Sequence, residues 1–241
     1  MSSSILSMSC IEAIVFDLDD TLYPERDFVV SGFRAVAERF AGPLGEPASV
    51  TRRMTELFDS GDRMRVFQHY LAERRIDEEG LLASMIETHR DHVPTIRLCD
   101  DAEDALARLR GRMRLGIVTD GRPRTQRAKM DALRLPERVD AAVVSQELAP
   151  WICKPDSRPF EFIATKLQVQ SNRMVYVADN PAKDFVAPNE LGWRTIQVRR
   201  PEGLYRDARA PANGQPHAML PDLFFLLDQL SAWGWTEWRV V

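Results

Sequence analysis

Residues 13–21 read Ala13-Ile14-Val15-Phe16-Asp17-Leu18-Asp19-Asp20-Thr21, four apolar residues that run straight into three carboxylates. A run that is apolar at every position has no polar face, so it predicts a strand covered on both sides, as in a parallel sheet between layers of helices. Carboxylates at the end of such a strand repel one another in a low dielectric unless a cation neutralises them. Asp17 and Asp19 lie two apart, and near a strand end that spacing lets both point the same way, one to attack and one to handle a proton. By itself an Asp-x-Asp-x-Thr string serves equally well as a turn and helix cap.

Comparable runs recur at Leu115–Val118, Ala141–Val144 and Met174–Ala178, with a weaker one at Thr195–Val198. Between them Asp101–Arg110, Arg124–Leu133 and Pro159–Leu167 carry apolar residues near i, i+3 and i+4, the pattern of crossover helices. The fold class is therefore α/β with a parallel sheet. From Tyr23 to about Val93 the alternation stops. Phe28–Phe40, Ala48–Phe58, Met64–Arg74 and Glu78–His89 follow one another at helical spacing, separated by Gly42-Pro43, Ser60-Gly61 and a cap at Asp77. This predicts a core of residues 1–22 and 94–241 with a helical domain, 23–93, inserted in it. Arg199–His217 reads as loop and Asp222–Leu230 as a closing helix.

The composition is that of a globular chain: 241 residues, 44% hydrophobic, net charge −4. That content excludes a disordered chain, and no run approaches the length of a membrane span. The first ten residues lack a basic region and a long apolar stretch, so a cytoplasmic protein is expected. Cys10, Cys99 and Cys153 sit far apart with no metal or redox spacing, which fits a reducing compartment. Only four of the 32 basic residues are lysines, and the arginines are scattered, so no nucleic-acid partner is expected. Trp233, Trp235 and Trp238 crowd the last nine residues, to pack on the body of the fold or to face a partner.

Three further groups fall at the ends of predicted strands or just before a helix. Thr119-Asp120-Gly121 closes the second strand and offers a hydroxyl and loop amides to a phosphoryl oxygen. Lys154 stands before Pro155 ahead of a helix, and Asp179-Asn180 closes the fourth strand with Asp184 five residues on. Ligands of open parallel sheets collect at the carboxyl ends of the strands, where Asp17, Thr119 and Asp179 converge.

Taken together, Phe16-Asp17-Leu18-Asp19-Asp20-Thr21, Val118-Thr119-Asp120-Gly121, Lys154-Pro155 and Asp179-Asn180-Pro181-Ala182-Lys183-Asp184 resemble, in order, the four motifs of the haloacid dehalogenase-like hydrolases. The resemblance spans about Ala13 to Val198 and implies a Rossmann-like core, a helical cap placed over the active site, and Mg²⁺-dependent phosphoryl transfer. It further implies that Asp17 is the nucleophile that forms an aspartyl-phosphate, and that Asp19 is the acid and then the base. Thr119, Asp120 and Lys154 would bind the phosphoryl group. Asp17 and Asp179 by side chain and Asp19 by its carbonyl would hold Mg²⁺, with Asp184 in support through water or by orienting Lys154. Outside these roles Asp20 reads as a turn residue, an Asp at 120 commonly caps a helix, Lys183 reads as solvated, and the four histidines show no ligand spacing.

Ala178 and Trp151 stand where this family usually has Gly, and both are expected to add bulk near the phosphate or metal. The expected enzyme is a phosphoric monoester hydrolase acting on a small soluble phosphomonoester, a sugar phosphate first and a nucleoside monophosphate second. A sugar phosphomutase of the same fold and a binding or scaffold protein that has lost turnover are the alternatives. A phospho-receiver is shorter and keeps its acidic pair apart from its acceptor. A dehalogenase would not need Asp19. The sequence leaves oligomeric state open.

Overall fold

The computed structural model describes residues 11–236, so Cys10, Trp238 and the opening residues lie outside it. The chain divides into two compact units, one running up to Pro24 and resuming at Arg97, the other Glu25–Ile96. The first element, β1 (Ala13–Phe16), is buried at all four positions.

The chain then enters the second unit, which is entirely helical: α1 (Glu25–Arg39), α2 (Ala41–Leu44), α3 (Pro47–Asp59), α4 (Val66–Arg74) and α5 (Leu81–Asp91). Its own core gathers Phe33, Val36, Met54, Phe58, Tyr70 and Met85. At the start of α3 the Glu46 carboxylate accepts from the Ala48 and Ser49 amides, and Pro47 fills a position whose amide has no helical partner. Two local readings change here. Gly42-Pro43 does not break the chain but lies inside the single turn of α2. Asp77 caps nothing, because α5 begins at Leu81 behind Gly80, whose φ of 77° is left-handed backbone that glycine adopts without strain.

In the first unit the chain continues through α6 (Asp100–Leu109), β2 (Arg114–Thr119), α7 (Pro123–Ala132), β3 (Ala141–Val144), α8 (Ser145–Leu148), α9 (Arg158–Leu167) and β4 (Met174–Ala178). It closes with α10 (Val186–Glu190), β5 (Arg194–Val198), β6 (Ala218–Leu220) and α11 (Leu226–Ala232). The six strands form one parallel sheet in the order β3-β2-β1-β4-β5-β6. β1 lies at the point where the winding reverses, which opens a crevice at the carboxyl ends of β1 and its neighbours. The run of two-sided burial that β1 displays follows from this central place.

One face of the sheet packs Val15, Val118, Tyr176 and Ala178 against Phe160, Ile163 and Leu167 of α9 and against Trp193. A Cβ on Gly116 of β2 would lie 3.1 Å from Leu167 and 3.2 Å from Ile163, so α9 sits at a distance that only glycine leaves open. The sixth strand went unread in the sequence. Ala-Met-Leu is three residues long, lacks a β-branched residue and leaves Met219 61% exposed at the sheet edge. The tail packs on the body as far as it is described: Trp235 is buried, and Arg194 lies over the Trp233 ring and donates to its carbonyl at 3.1 Å.

A buried ion pair ties distant parts of this unit. Just past β5, the Arg200 guanidinium meets Asp101, in the first turn of α6, with contacts of 3.0 and 3.1 Å, and also donates to the Thr21 carbonyl at 2.8 Å. Asp101 in turn accepts from the Leu223 amide at 2.6 Å, ahead of α11.

Candidate active site

The end of β1 continues into the crevice because the Asp17 amide still donates to the Val177 carbonyl of β4 at 2.9 Å. Strand geometry therefore holds Asp17, and Asp20 follows in left-handed backbone at φ 53°, a conformation Asp tolerates in turns.

Lys154 reaches the Asp17 carboxylate at 2.5 Å, Asp184 at 2.7 Å and the Tyr176 hydroxyl at 3.0 Å, with its own side chain wholly buried. Asp17 and Tyr176 accept hydrogen bonds from this ammonium, whereas Asp184 Oδ1 meets it as an ion pair. Burial alone would strip its proton, but the charges of Asp17 and Asp184 outweigh it and hold its pKa well above the ordinary lysine range. Tyr176, an apolar-looking strand residue in the sequence, is the member of this group that no motif announced.

Asp17, Asp179 and Asp184 each bring a carboxylate oxygen to within 4.8 Å of the others. Asp179 Oδ2 is buried with no hydrogen-bond partner. Burial pushes Asp17 up to about 7 despite Lys154, and burial together with the charges of Asp17 and Asp184 pushes Asp179 up to about 9. Crowded oxygens, two of them, Asp179 Oδ2 and Asp184 Oδ1, without a hydrogen-bond partner, are a hard anionic donor set that fits a small divalent cation such as Mg²⁺. Asp184 also accepts from the Asn180 amide at 3.0 Å, which fixes the loop that carries Asp179.

These shifts set a pH dependence. The unfolded chain releases an Asp proton near the ordinary 3.8, whereas the folded metal-free protein keeps these two to about 7 and about 9. The unfolded state thus binds fewer protons in that window, and stability falls as pH rises through it. Thermal melts in chelator from about pH 5 to about pH 9 should show that decline, and Asp179→Asn or added Mg²⁺ should flatten it. A decline that is the same in Asp179→Asn would rule out this origin.

Asp19 turns its carboxylate away from this cluster, so only its main chain is left for a cation. The carboxylate accepts from Lys129 at 2.7 Å, from Gln126 at 3.0 Å and from the Tyr23 hydroxyl. Burial works to raise its pKa, but the Lys129 charge and the three donors prevail and hold it below the ordinary range. Thr119 is buried at the end of β2, where its hydroxyl accepts from Gln126 at 2.9 Å.

Asp120 departs from its reading as a helix cap, because α7 has no side-chain cap. Its carboxylate accepts from Ser145 at 2.8 Å, from the Lys154 amide at 3.1 Å and from Lys183 at 2.8 Å. Its pKa is lowered because the nearby Lys154 and Lys183 charges outweigh burial. Asp120 is the joint that fastens the start of α8 and two loops, and Lys183, expected in solvent, is one of its arms with only 36% of its side chain exposed. Gly121, at φ 125°, leaves room for Gln126, whose amide would lie 3.3 Å from an added Cβ.

The two departures from the family's glycines lie in different surroundings. Trp151 is 75% exposed, away from the packed interior, and the Ala178 methyl belongs to the core on the α9 face of the sheet.

Residues 11–192 match the sequence pattern of the haloacid dehalogenase-like hydrolases. The chain is 29% identical over 206 residues to a glyceraldehyde 3-phosphate phosphatase of Methanopyrus kandleri, which covers 82% of this chain and 87% of the relative. It is 27% identical over 202 residues to a ribulose-1,5-bisphosphate 5-phosphatase of Halopiger xanaduensis, covering 76% and 83%. Among solved structures, the magnesium-bound HAD-hydrolase YfnB of Bacillus subtilis superimposes with a TM-score of 0.66 at 18% identity, over 91% of this chain and 98% of that one. Among the described residues no helix is long and apolar enough to cross a membrane.

Proposed function

From a chain that belongs to the haloacid dehalogenase-like hydrolases and is a phosphoric monoester hydrolase, we propose a Mg²⁺-dependent enzyme that removes phosphate from a small sugar phosphate. The observation that carries this reading is the buried Asp17, held by Lys154 beside the unpaired oxygen of Asp179 at the crevice end of the central strand. The substrate class is supported by the two relatives, one named for a triose phosphate and one for a pentulose bisphosphate.

Asp17 and Asp179, with the Asp19 carbonyl and Asp184 alongside, would hold Mg²⁺, which when bound offsets the charge of the phosphate dianion and keeps it in line with Asp17. An Asp17 oxygen attacks phosphorus, the bond from phosphorus to the sugar oxygen breaks, and Asp19 in its acid form gives that oxygen a proton. Asp19, now ionised, takes a proton from the water that attacks the aspartyl-phosphate, and the phosphorus bond to Asp17 breaks to release inorganic phosphate. Its lowered pKa suits this second half. The Thr119 hydroxyl, the loop amides and Lys154 meet the phosphoryl oxygens as their charge redistributes.

The test is phosphate release from a panel of triose, pentose and hexose phosphates and nucleoside monophosphates, with Mg²⁺ and with chelator. Turnover that is lost in chelator and restored by Mg²⁺, with sugar phosphates preferred, is expected. Conversion of a sugar phosphate to its isomer without free phosphate would replace this reading by the mutase, and no conversion at all by the scaffold.

A further inference from the structure

Two side chains on one face of α7 converge on Asp19, and the reaction as written above uses neither of them. Gln126 and Lys129 are three residues apart, hence neighbours on the helix surface, and both are buried. A buried lysine is costly unless it is paired, and an apolar side chain would fill the same place between helix and sheet more cheaply. Here the pairing is resolved by atom. Lys129 Nζ donates to Asp19 Oδ1 at 2.7 Å, as does the Tyr23 hydroxyl, while Gln126 Nε2 donates to Oδ2 at 3.0 Å.

Gln126 Nε2 has two hydrogens but three acceptors within reach, since Thr119 Oγ1 lies at 2.9 Å and the Asp120 carbonyl at 2.5 Å. Oδ1 is therefore pinned by two donors of its own, and Oδ2 shares one. The Asp19 side chain is 21% exposed where Lys129 is 5%, so the grip comes from inside and the carboxylate still faces the crevice.

We propose that Lys129 and Gln126 are positioning residues for the reaction: Lys129, together with Tyr23, anchors Asp19 through Oδ1, while Gln126 steadies Oδ2, the oxygen that carries the proton, and sets the Thr119 hydroxyl in the same act. The inference rests on the phosphatase reading above. Neither residue meets the substrate in the reaction as written: Lys129 holds the oxygen that does not carry the proton, and Gln126 acts on Oδ2 as a donor that orients it. Their part is to hold two groups from two strand ends, Asp19 after β1 and Thr119 on β2, in fixed relation, where misplacement by a fraction of an ångström slows the transfer.

The experiment compares the wild type with Lys129→Met, Lys129→Arg and Gln126→Leu on a sugar phosphate and on p-nitrophenyl phosphate, whose leaving group needs little protonation. Lys129→Met should lower kcat on the sugar phosphate by about 100- to 1,000-fold. KM should stay within roughly threefold and the aryl substrate should lose less, the signature of a lost transition-state contact. Lys129→Arg should recover part of the rate, and Gln126→Leu should fall between. A crystal structure of Lys129→Met should show the Asp19 carboxylate displaced. An unchanged kcat, a raised KM at unchanged kcat, or an Asp19 that stays in place without Lys129 would overturn the proposal. A wild type silent on every phosphomonoester would overturn the underlying reading as well, and would do so in the wild-type arm before any variant is compared.

Discussion

Asp17→Asn is expected to end turnover, lowering phosphate release by roughly 10,000-fold or more, because an amide oxygen does not displace an alkoxide from phosphorus. The substitution leaves the shape of the site in place. Lys154 keeps Asp184 at 2.7 Å and Tyr176 at 3.0 Å, so its charge stays paired. The melting temperature in chelator should hold or rise, because Asp179 loses a like-charged neighbour that helps push its own pKa up. Acid-quenched wild type incubated with substrate should carry acyl-linked phosphate, and the variant none. Phosphate release that survives in Asp17→Asn would remove Asp17 as nucleophile, whereas a collapse of melting together with activity would leave the site's geometry, not its chemistry, as the cause.

Arg200→Ala should have the largest effect on stability. The guanidinium is the partner of Asp101, whose side chain is 4% exposed, and removing one member of a buried pair leaves the other charge uncompensated. A loss of about 3–5 kcal/mol is expected, which for a protein of this size lowers the melting temperature by roughly 10 °C. The Ala102 and Leu223 amides still donate to Asp101, which favours the lower end of that range. Replacing both members, as in Asp101→Leu with Arg200→Met, should recover most of the loss, since an apolar pair has no charge to leave unsatisfied. A single variant that melts with the wild type would show that water reaches and screens Asp101. Because Arg200 also holds the Thr21 carbonyl, just past Asp19 and Asp20, the weakened protein should lose kcat in parallel.

The strands that bear the site were legible because the sheet is parallel and central. β1, β3 and β4 were read with the bounds the structure gives them, as runs apolar on both faces. What escaped was short or at an edge. β6 has three residues and one buried side, and α8 and α10 have four and five residues, too few for a helical period to show. Asp17, Thr119 and Asp179 could be grouped from topology alone, because each lies at the carboxyl end of a strand, while Asp184 was placed by its spacing from Asp179 and by the family resemblance. Tyr176, Gln126 and Lys129 could not. Tyr176 lies inside an apolar run, and the polar face of α7 that carries Gln126 and Lys129 looks in sequence like any solvated helix face.

The sequence by itself therefore determined a parallel sheet between helices and the carboxylates at its mouth, since two-sided burial is written in runs of apolar residues, whereas the order of the strands came from the tertiary structure. Which side chains share a proton, a charge or a loop was decided only by the tertiary structure. Asp120 fastens Ser145 at the start of α8 and Lys154 and Lys183 from two separate loops, and Lys129 meets Asp19 across 110 residues of chain. Such pairings depend on distances of 2.5 to 3.1 Å between side-chain atoms in a low dielectric, and no spacing along the chain encodes them.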